Sequence, residues 1–263
     1  MQLPEGKKIY FASDLHLGAP NHEKSLAREK LFVNWLDEIK ADAAILYLVG
    51  DVFDFWFEYK KAVPRGFVRI LGKLAELSDA GIELHYFTGN HDMWVFDYLS
   101  KELNAEIHYE PIERVYNNKH FYIGHGDGLG PGDYGYKFIK RVFQNPLCRW
   151  AFARLHPNFG IGLADYFSKT SRAKTGDSDA HFLGEDQEWL AIYAREKLAE
   201  KHQDYFIFGH RHLPLQIKVG EKATYHNLGD WITYYTYGVF DGADFTLKTY
   251  PDHADFDFDK IQG

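Results

Sequence analysis

Short apolar runs that stop abruptly at polar residues set the rhythm of this chain. Residues 7–13 (KKIYFAS) run into Asp14-Leu15-His16-Leu17-Gly18, residues 43–49 into Gly50-Asp51, and residues 83–88 into Gly89-Asn90-His91-Asp92. Each run has the length and unbroken apolar character of a buried strand. Between them lie stretches of helical spacing. Residues 23–40 carry Leu26, Leu31, Phe32, Trp35, Leu36 and Ile39, and residues 67–80 carry Ile70, Leu71, Leu74 and Leu77 before Gly81 stops the helix. The order βαβαβ predicts a largely parallel sheet with helices on its faces, in which ligands collect at the carboxyl ends of the strands.

The second half has a different pattern. Residues 112–116 and 119–124 flank Asn117-Asn118, a hairpin signal, and the second run ends in His125-Gly126-Asp127-Gly128. Residues 205–208 end in Gly209-His210-Arg211-His212. Residues 215–219, 223–228, 237–240 and 245–250 are short runs separated by glycines, for which antiparallel pairing is expected. Two packed sheets with helices outside account for both halves in one α/β domain spanning residues 1–263. Residues 131–181 break the rhythm and read as a helical insertion, or cap. Phe138, Ile139, Val142 and Phe143 have helical spacing, Pro146 interrupts it, and Leu147, Trp150, Ala151 and Leu155 resume it. The acidic tail from Pro251 is expected to be loosely held.

Composition changes this picture in two places. The formal charge is −8, which argues against nucleic-acid binding. Yet residues 137–174 hold eight basic side chains against a single acid, Asp165, a local balance of +7. That segment is expected to meet something negative. The single cysteine, Cys148, permits no internal disulfide, no apolar run approaches the ~20 residues that span a bilayer, and the polar first residues carry no signal peptide. A cytoplasmic protein, monomeric or weakly dimeric, is the expectation.

A histidine at one strand end is more often structural than a ligand. Here Asp-x-His, Gly-Asp-x-x-Asp, Gly-Asn-His-Asp, Gly-His-Gly-Asp and Gly-His-x-His follow successive strands in that order. Asp51 sits centrally among them and reads as a carboxylate shared by two metal ions. This set resembles the calcineurin-like metallophosphoesterases, whose five blocks match from Asp14 to His212. The resemblance implies a double β-sandwich flanked by helices, in agreement with the reading above. It implies that Asp14, His16, Asp51 and His212 hold one divalent ion and that Asp51, Asn90, His125 and His210 hold the other. Carboxylate, imidazole and amide donors suit Mn²⁺ first, with Fe²⁺, Zn²⁺ or Mg²⁺ as alternatives. A shared carboxylate lets two ions sit ~3.5–4 Å apart and clamp both the attacking and the departing oxygen of a displacement at phosphorus, with a bridging water as nucleophile. His91 matches the family histidine that stabilises the transition state or protonates the leaving oxygen, and Asp54 the acid that orients it. His22, His85, His108, His120, His156, His181, His202, His226 and His253 have no motif around them and read as structural or surface residues.

Protein phosphatases of the superfamily continue Gly-Asp-x-x-Asp with Arg-Gly, whereas this chain continues with Phe55-Trp56-Phe57. With Asp133-Tyr134-Gly135-Tyr136 after the fourth block, it is similar to the UDP-2,3-diacylglucosamine diphosphatases of lipid A synthesis. That branch implies cleavage of a lipid-linked sugar nucleotide to UMP and 2,3-diacylglucosamine 1-phosphate at the inner membrane surface, with the cap over the acyl chains. The basic residues interleaved with Phe138, Phe143, Trp150, Phe152, Phe159 and Phe167 suit contact with acyl chains and anionic headgroups. The branch further implies substrate contacts from Asn90, His91, Asp133, Tyr136, Ser168, Lys169, Arg172 and His210. His91 stands where some members have arginine, and Arg211 where they have none. The alternative function is that of a soluble phosphodiesterase or pyrophosphatase for nucleotides and other small phosphate esters.

Overall fold

A computed structural model describes residues 1–130, 134–164 and 181–262. Strands β1 (Lys8–Ala12), β2 (Ala43–Val49), β3 (Glu83–Phe87) and β4 (Glu106–His108) pair in parallel, with β10 (Thr236–Phe240) and β11 (Phe245–Thr249) added antiparallel beside β1. The six-stranded order is β11-β10-β1-β2-β3-β4. The second sheet has the order β5-β6-β7-β9-β8, from β5 (Ile112–Tyr116), β6 (Lys119–Ile123), β7 (Tyr205–Phe208), β8 (Pro214–Lys218) and β9 (Thr224–Leu228).

Both faces of each central strand are buried, which is why the runs read as continuously apolar. Ile45, Tyr47 and Val49 of β2 pack between the sheets with Phe11, Phe87, Phe121 and Phe240. Leu46 and Leu48 face the other way, onto Phe32, Trp35 and Leu36 of the helix His22–Ile39 and onto Ile70, Leu74 and Leu77 of the helix Val68–Asp79. A third apolar layer joins Phe206, Phe208 and Tyr225 to Leu190, Ala191 and Ala194 of the helix Trp189–Glu200. The layers are therefore helix, sheet, sheet, helix, and the expected double sandwich flanked by helices is what forms.

The structure adds two features that carried no expectation and overturns one expectation. Antiparallel pairing holds for β5–β6, β8–β9 and β10–β11, but β6–β7 and β7–β9 are parallel. The long helical connection from β6 to β7 leaves room for the crossover that parallel strands need. The helix Trp189–Glu200 and the short β4 had no clear signal, because the helix opens with Trp189-Leu190-Ala191-Ile192-Tyr193-Ala194 and shows no polar stripe. The tail is docked rather than loose. Phe256 is buried between the sheets, its N–H donates to the Leu247 carbonyl at 2.8 Å, and the His253 imidazole meets Glu38 at 2.8 Å. Alternating Phe256 and Phe258 supply the apolar surface that holds it.

Candidate metal centre

Every predicted ligand follows the carboxyl end of a strand: Asp14 and His16 after β1, Asp51 after β2, Asn90 after β3, His125 after β6, His210 and His212 after β7. Strands β1, β2 and β3 are neighbours in one sheet, and β6 and β7 are neighbours in the other, so the two sets face each other across the same edge of the sandwich. The loops are joined by backbone bonds. Asp14 N–H donates to Gly50 O at 3.1 Å, His16 N–H to Asp51 O at 2.9 Å, and Gly209 N–H to His125 O at 2.9 Å.

Five of these ligands have left-handed backbones: Asp14 (φ 56°), His16 (44°), Asp51 (52°), His210 (69°) and His212 (54°). Such a conformation costs a non-glycine residue roughly 1–2 kcal/mol. Its concentration at one place marks a site where the surrounding structure holds the chain against its preference. The glycines preceding the ligands have a packing reason. A Cβ on Gly89 would overlap the Asp51 carboxylate, and one on Gly209 would overlap the Ser13 hydroxyl and approach Asp14 Oδ2.

Each buried carboxylate has one oxygen tied and the other aimed at the histidines. Asp14 Oδ2 accepts the His210 N–H at 2.9 Å and the Ser13 hydroxyl, while Oδ1 has no hydrogen-bond partner among the described residues. That oxygen lies 3.5 Å from His212 Nε2 and 3.8 Å from His16 Nε2. Asp51 Oδ1 accepts the His91 N–H at 2.9 Å, while Oδ2 lies 3.7 Å from His16 Nε2 and 3.4 Å from His125 Nε2. Asp51 Oδ2 is therefore within reach of a histidine from each sheet, as a shared ligand must be. The amide oxygen of Asn90 is 3.4 Å from His125 Nε2.

The imidazoles are turned the same way. His125 Nδ1 donates to Val49 O at 2.8 Å, His212 Nδ1 faces Asp230 Oδ2 at 3.3 Å, and His16 Nδ1 faces Asp54 Oδ1 at 3.5 Å. For His125 and His212 an acceptor faces Nδ1 and leaves Nε2 pointing inward, the arrangement that fixes the tautomer of metal-ligating histidine, whereas His16 Nδ1 makes no hydrogen bond to the Asp54 carboxylate beside it. Three donor groups result: Asp14, His16 and His212; His16, Asp51 and His91; and Asp51, His125 and His210. A buried carboxylate oxygen left without a hydrogen bond among inward-facing imidazole nitrogens fits divalent cations and has no evident structural use without them.

Electrostatics agree. Burial alone would raise Asp14, yet the neighbouring His212, His16 and His125 hold it down at about 2, and Asp51 is likewise held well below the carboxylate range by His125 and His91. Burial pushes His91 and His210 down to about 4. His91 Nδ1 lies 3.1 Å from the Asp54 carbonyl and 3.7 Å from its carboxylate. Asp54 thus sits between His16 and His91 and touches both imidazoles.

Three acids essential to this geometry carried no role in the sequence reading. Buried Asp92 accepts the N–H groups of Gly89 at 2.7 Å, Val52 at 3.0 Å and Phe53 at 3.4 Å, and the Tyr86 hydroxyl. It clamps the Asp51 loop to the Asn90 loop. Asp230 supports His212 and accepts the Thr233 N–H at 2.7 Å. Asp127, two residues after His125, binds the Lys140 ammonium at 2.7 Å and the Tyr136 hydroxyl at 2.6 Å. Tyr136 is thus engaged with Asp127. Arg211 is directed into the core, with Nε 3.1 Å from Glu188. The expected substrate residues Asp133, Ser168, Lys169 and Arg172 lie outside the described residues.

The cap begins at the helix Tyr134–Gln144 and continues through the helix Pro146–Phe152. It docks on the residues that follow Asp54. Phe152 packs on Phe57 (4.7 Å between ring centroids) and on Trp94 (4.8 Å), and Trp94 Nε1 donates to the Phe143 carbonyl at 2.9 Å. Other apolar side chains here are open: Phe138, Leu147, Trp150 and Phe159 are 67%, 76%, 59% and 61% exposed. Part of its positive charge is used internally, since Lys140 meets Asp127 and Arg149 and Arg154 lie over Phe96 and Trp150.

No family model matches the chain. Among curated proteins, the UDP-2,3-diacylglucosamine hydrolase of Porphyromonas gingivalis is 42% identical over 257 residues, 93% of this chain and 98% of that protein. The chain belongs to the UDP-2,3-diacylglucosamine hydrolase family. The Haemophilus influenzae protein of the same name is 29% identical over 230 residues, 86% of this chain and 91% of its own length. Among solved structures, Yfce, a phosphoesterase from E. coli, aligns over 95% of this chain and 97% of its own, at 17% identity and a TM-score of 0.46.

Proposed function

We propose that the chain hydrolyses the diphosphate of UDP-2,3-diacylglucosamine, releasing UMP and 2,3-diacylglucosamine 1-phosphate. The supporting observation is the complete set of inward-facing ligands beside an exposed apolar cap, in a chain 42% identical to a hydrolase of that name. Asp14, His16, Asp51 and His212 would hold one divalent cation, and Asp51, Asn90, His125 and His210 the other. When bound, the pair neutralises phosphate charge and supplies a water acidic enough to attack near neutral pH. The oxygen- and imidazole-rich donor set, without thiolate, favours Mn²⁺.

The protein's own groups orient and exclude. With Nδ1 held by the Asp54 carbonyl, His91 directs Nε2 toward the reacting phosphate, where it donates a hydrogen bond once it carries a second proton. An anionic substrate raises its affinity for that proton. Asp92 keeps the Asp51 and Asn90 loops in register, and Asp127 ties the cap to the His125 loop. The exposed Phe138, Leu147, Trp150 and Phe159 receive acyl chains, and the cap's outward basic residues meet anionic headgroups, so the protein acts at a membrane surface. No helix among the described residues is long and apolar enough to cross a membrane.

The test is UMP release from UDP-2,3-diacylglucosamine in mixed detergent micelles with Mn²⁺, with UDP-GlcNAc as the unacylated control. Fast release from the acylated substrate alone is expected. Equal release from both would remove the lipid from the proposal and leave a nucleotide pyrophosphatase.

A further inference from the structure

A second cluster of metal-ligating side chains stands at the free edge of the six-stranded sheet, on β3 and β4, and shares no residue with the ligands described above. His85 on β3 and His108 on β4 are both buried, and their ring nitrogens face each other, His85 Nδ1 to His108 Nε2, at 2.9 Å. Glu106 is the register partner of His85 in the parallel ladder. Its Oε2 lies 3.4 Å from His85 Nδ1 and its Oε1 lies 3.8 Å from His108 Nε2. The donor atoms of His85, Glu106 and His108 all lie within 4.8 Å of one another.

The surroundings are arranged as around a metal site. The other nitrogen of His85, Nε2, is 2.7 Å from Glu83 Oε1, so a carboxylate takes its N–H and leaves Nδ1 as a lone pair toward His108 and Glu106. Arg114 Nη2 holds Glu106 Oε1 at 3.0 Å, which orients the carboxylate and leaves Oε2 facing the imidazoles. The Tyr47 ring stacks on His85 at 4.4 Å and the Phe87 ring packs on His108 at 4.7 Å, fixing both planes. Burial lowers His85 and brings His108 down to about 4, so both rings are neutral near pH 7, the form that binds metals. Two residues that hold the donors, Glu83 and Arg114, line a surface cavity of about 510 Å³.

We propose that His85, His108 and Glu106 form a third divalent-cation site, of the Zn²⁺ type, separate from the catalytic pair. Two imidazole nitrogens and one carboxylate oxygen are a zinc donor set, which a water would complete to four. The ion would join β4, a three-residue strand at the sheet edge, to β3. It takes no part in phosphate chemistry.

The test counts Zn²⁺ per chain by elemental analysis, after saturation with ZnCl₂ and gel filtration, in the wild type, Glu106→Gln and His108→Gln. Glu106 is half exposed, so its replacement keeps the fold, and circular dichroism checks the buried His108 variant. The expected result is one Zn²⁺ fewer per chain in both variants, with the hydrolytic rate of Glu106→Gln unchanged. Because a difference between variants is read, the result does not depend on how many ions the catalytic centre holds. Equal Zn²⁺ content in all three proteins would overturn the site, and so would loss of Zn²⁺ in His108→Gln alone.

Discussion

The metal centre and the cap are built on opposite principles. At the centre, Asp14, His16, Asp51 and His125 are buried and Asn90, His210 and His212 half-buried, five of these ligands have left-handed backbones, and Asp14, Asp51 and His125 are each held through a second polar atom. In the cap, large apolar side chains are exposed, and attachment rests on a few aromatic contacts and the Asp127–Lys140 pair. Rigidity serves the centre because its donors must already be placed when charge develops on phosphate. On the proposed reading the cap's open apolar face takes acyl chains, which offer no directional groups to recognise, and chemistry and substrate choice are separable.

The largest expected effect tests the rigid half. Asp51→Ala removes the oxygen that both ligand groups share, so hydrolysis of every phosphate ester, acylated or not, should fall below detection, with loss of bound metal. Substantial residual activity would contradict a shared ligand. His91→Gln should slow turnover roughly 10²-fold, the usual weight of a positioned proton donor, with metal content nearly unchanged. If elemental analysis shows an ion lost instead, His91 belongs to the ligands. The cap responds differently. Leu147→Ser with Trp150→Ser should lower turnover of the acylated substrate in micelles about tenfold, in proportion to the apolar contact removed, and leave UDP-GlcNAc or a chromogenic diester untouched. Equal loss on all substrates would merge the two regions into one site.

The smallest effect concerns stability and involves neither region. His226 is a buried residue of the second sheet's strand β9, and burial alone brings it down to about 3. Its folded pKa is below its unfolded value, so the unfolded chain binds the proton first. Stability from this group is full above about pH 6.5 and declines as pH falls, by about 2 kcal/mol between pH 7 and pH 5. Urea unfolding at the two pH values, with His226→Gln as control, reads it out. A variant as acid-sensitive as the wild type would reject the assignment.

Much of the centre was legible because strand ends are legible. An apolar run that stops at a polar residue puts that residue at a sheet rim wherever the sheet forms, which gathers the seven candidate ligands, while their division between two ions comes from the resemblance of the five blocks. Phe55-Trp56-Phe57 marked the branch, and the structure gives Phe57 a physical task as part of the floor on which Phe152 rests. The supporting acids were not legible. Asp92, Asp127 and Asp230 act through backbone N–H groups, Lys140 and His212, partners that no spacing rule connects. The same holds for His85 and His108, 23 residues apart and adjacent only because β3 pairs with β4. The final hairpin, β10–β11, pairs with β1 across most of the chain, a long-range choice that short apolar runs do not specify.

Asp51 would be the ligand common to two cations, one held with Asp14, His16 and His212, the other with Asn90, His125 and His210. Anomalous diffraction at the manganese edge from crystals grown with MnCl₂ tests it most directly. Two peaks on either side of Asp51 Oδ2, each against its own set of ligands, are the predicted result. A single peak, or two peaks that Asp51 does not join, would contradict it.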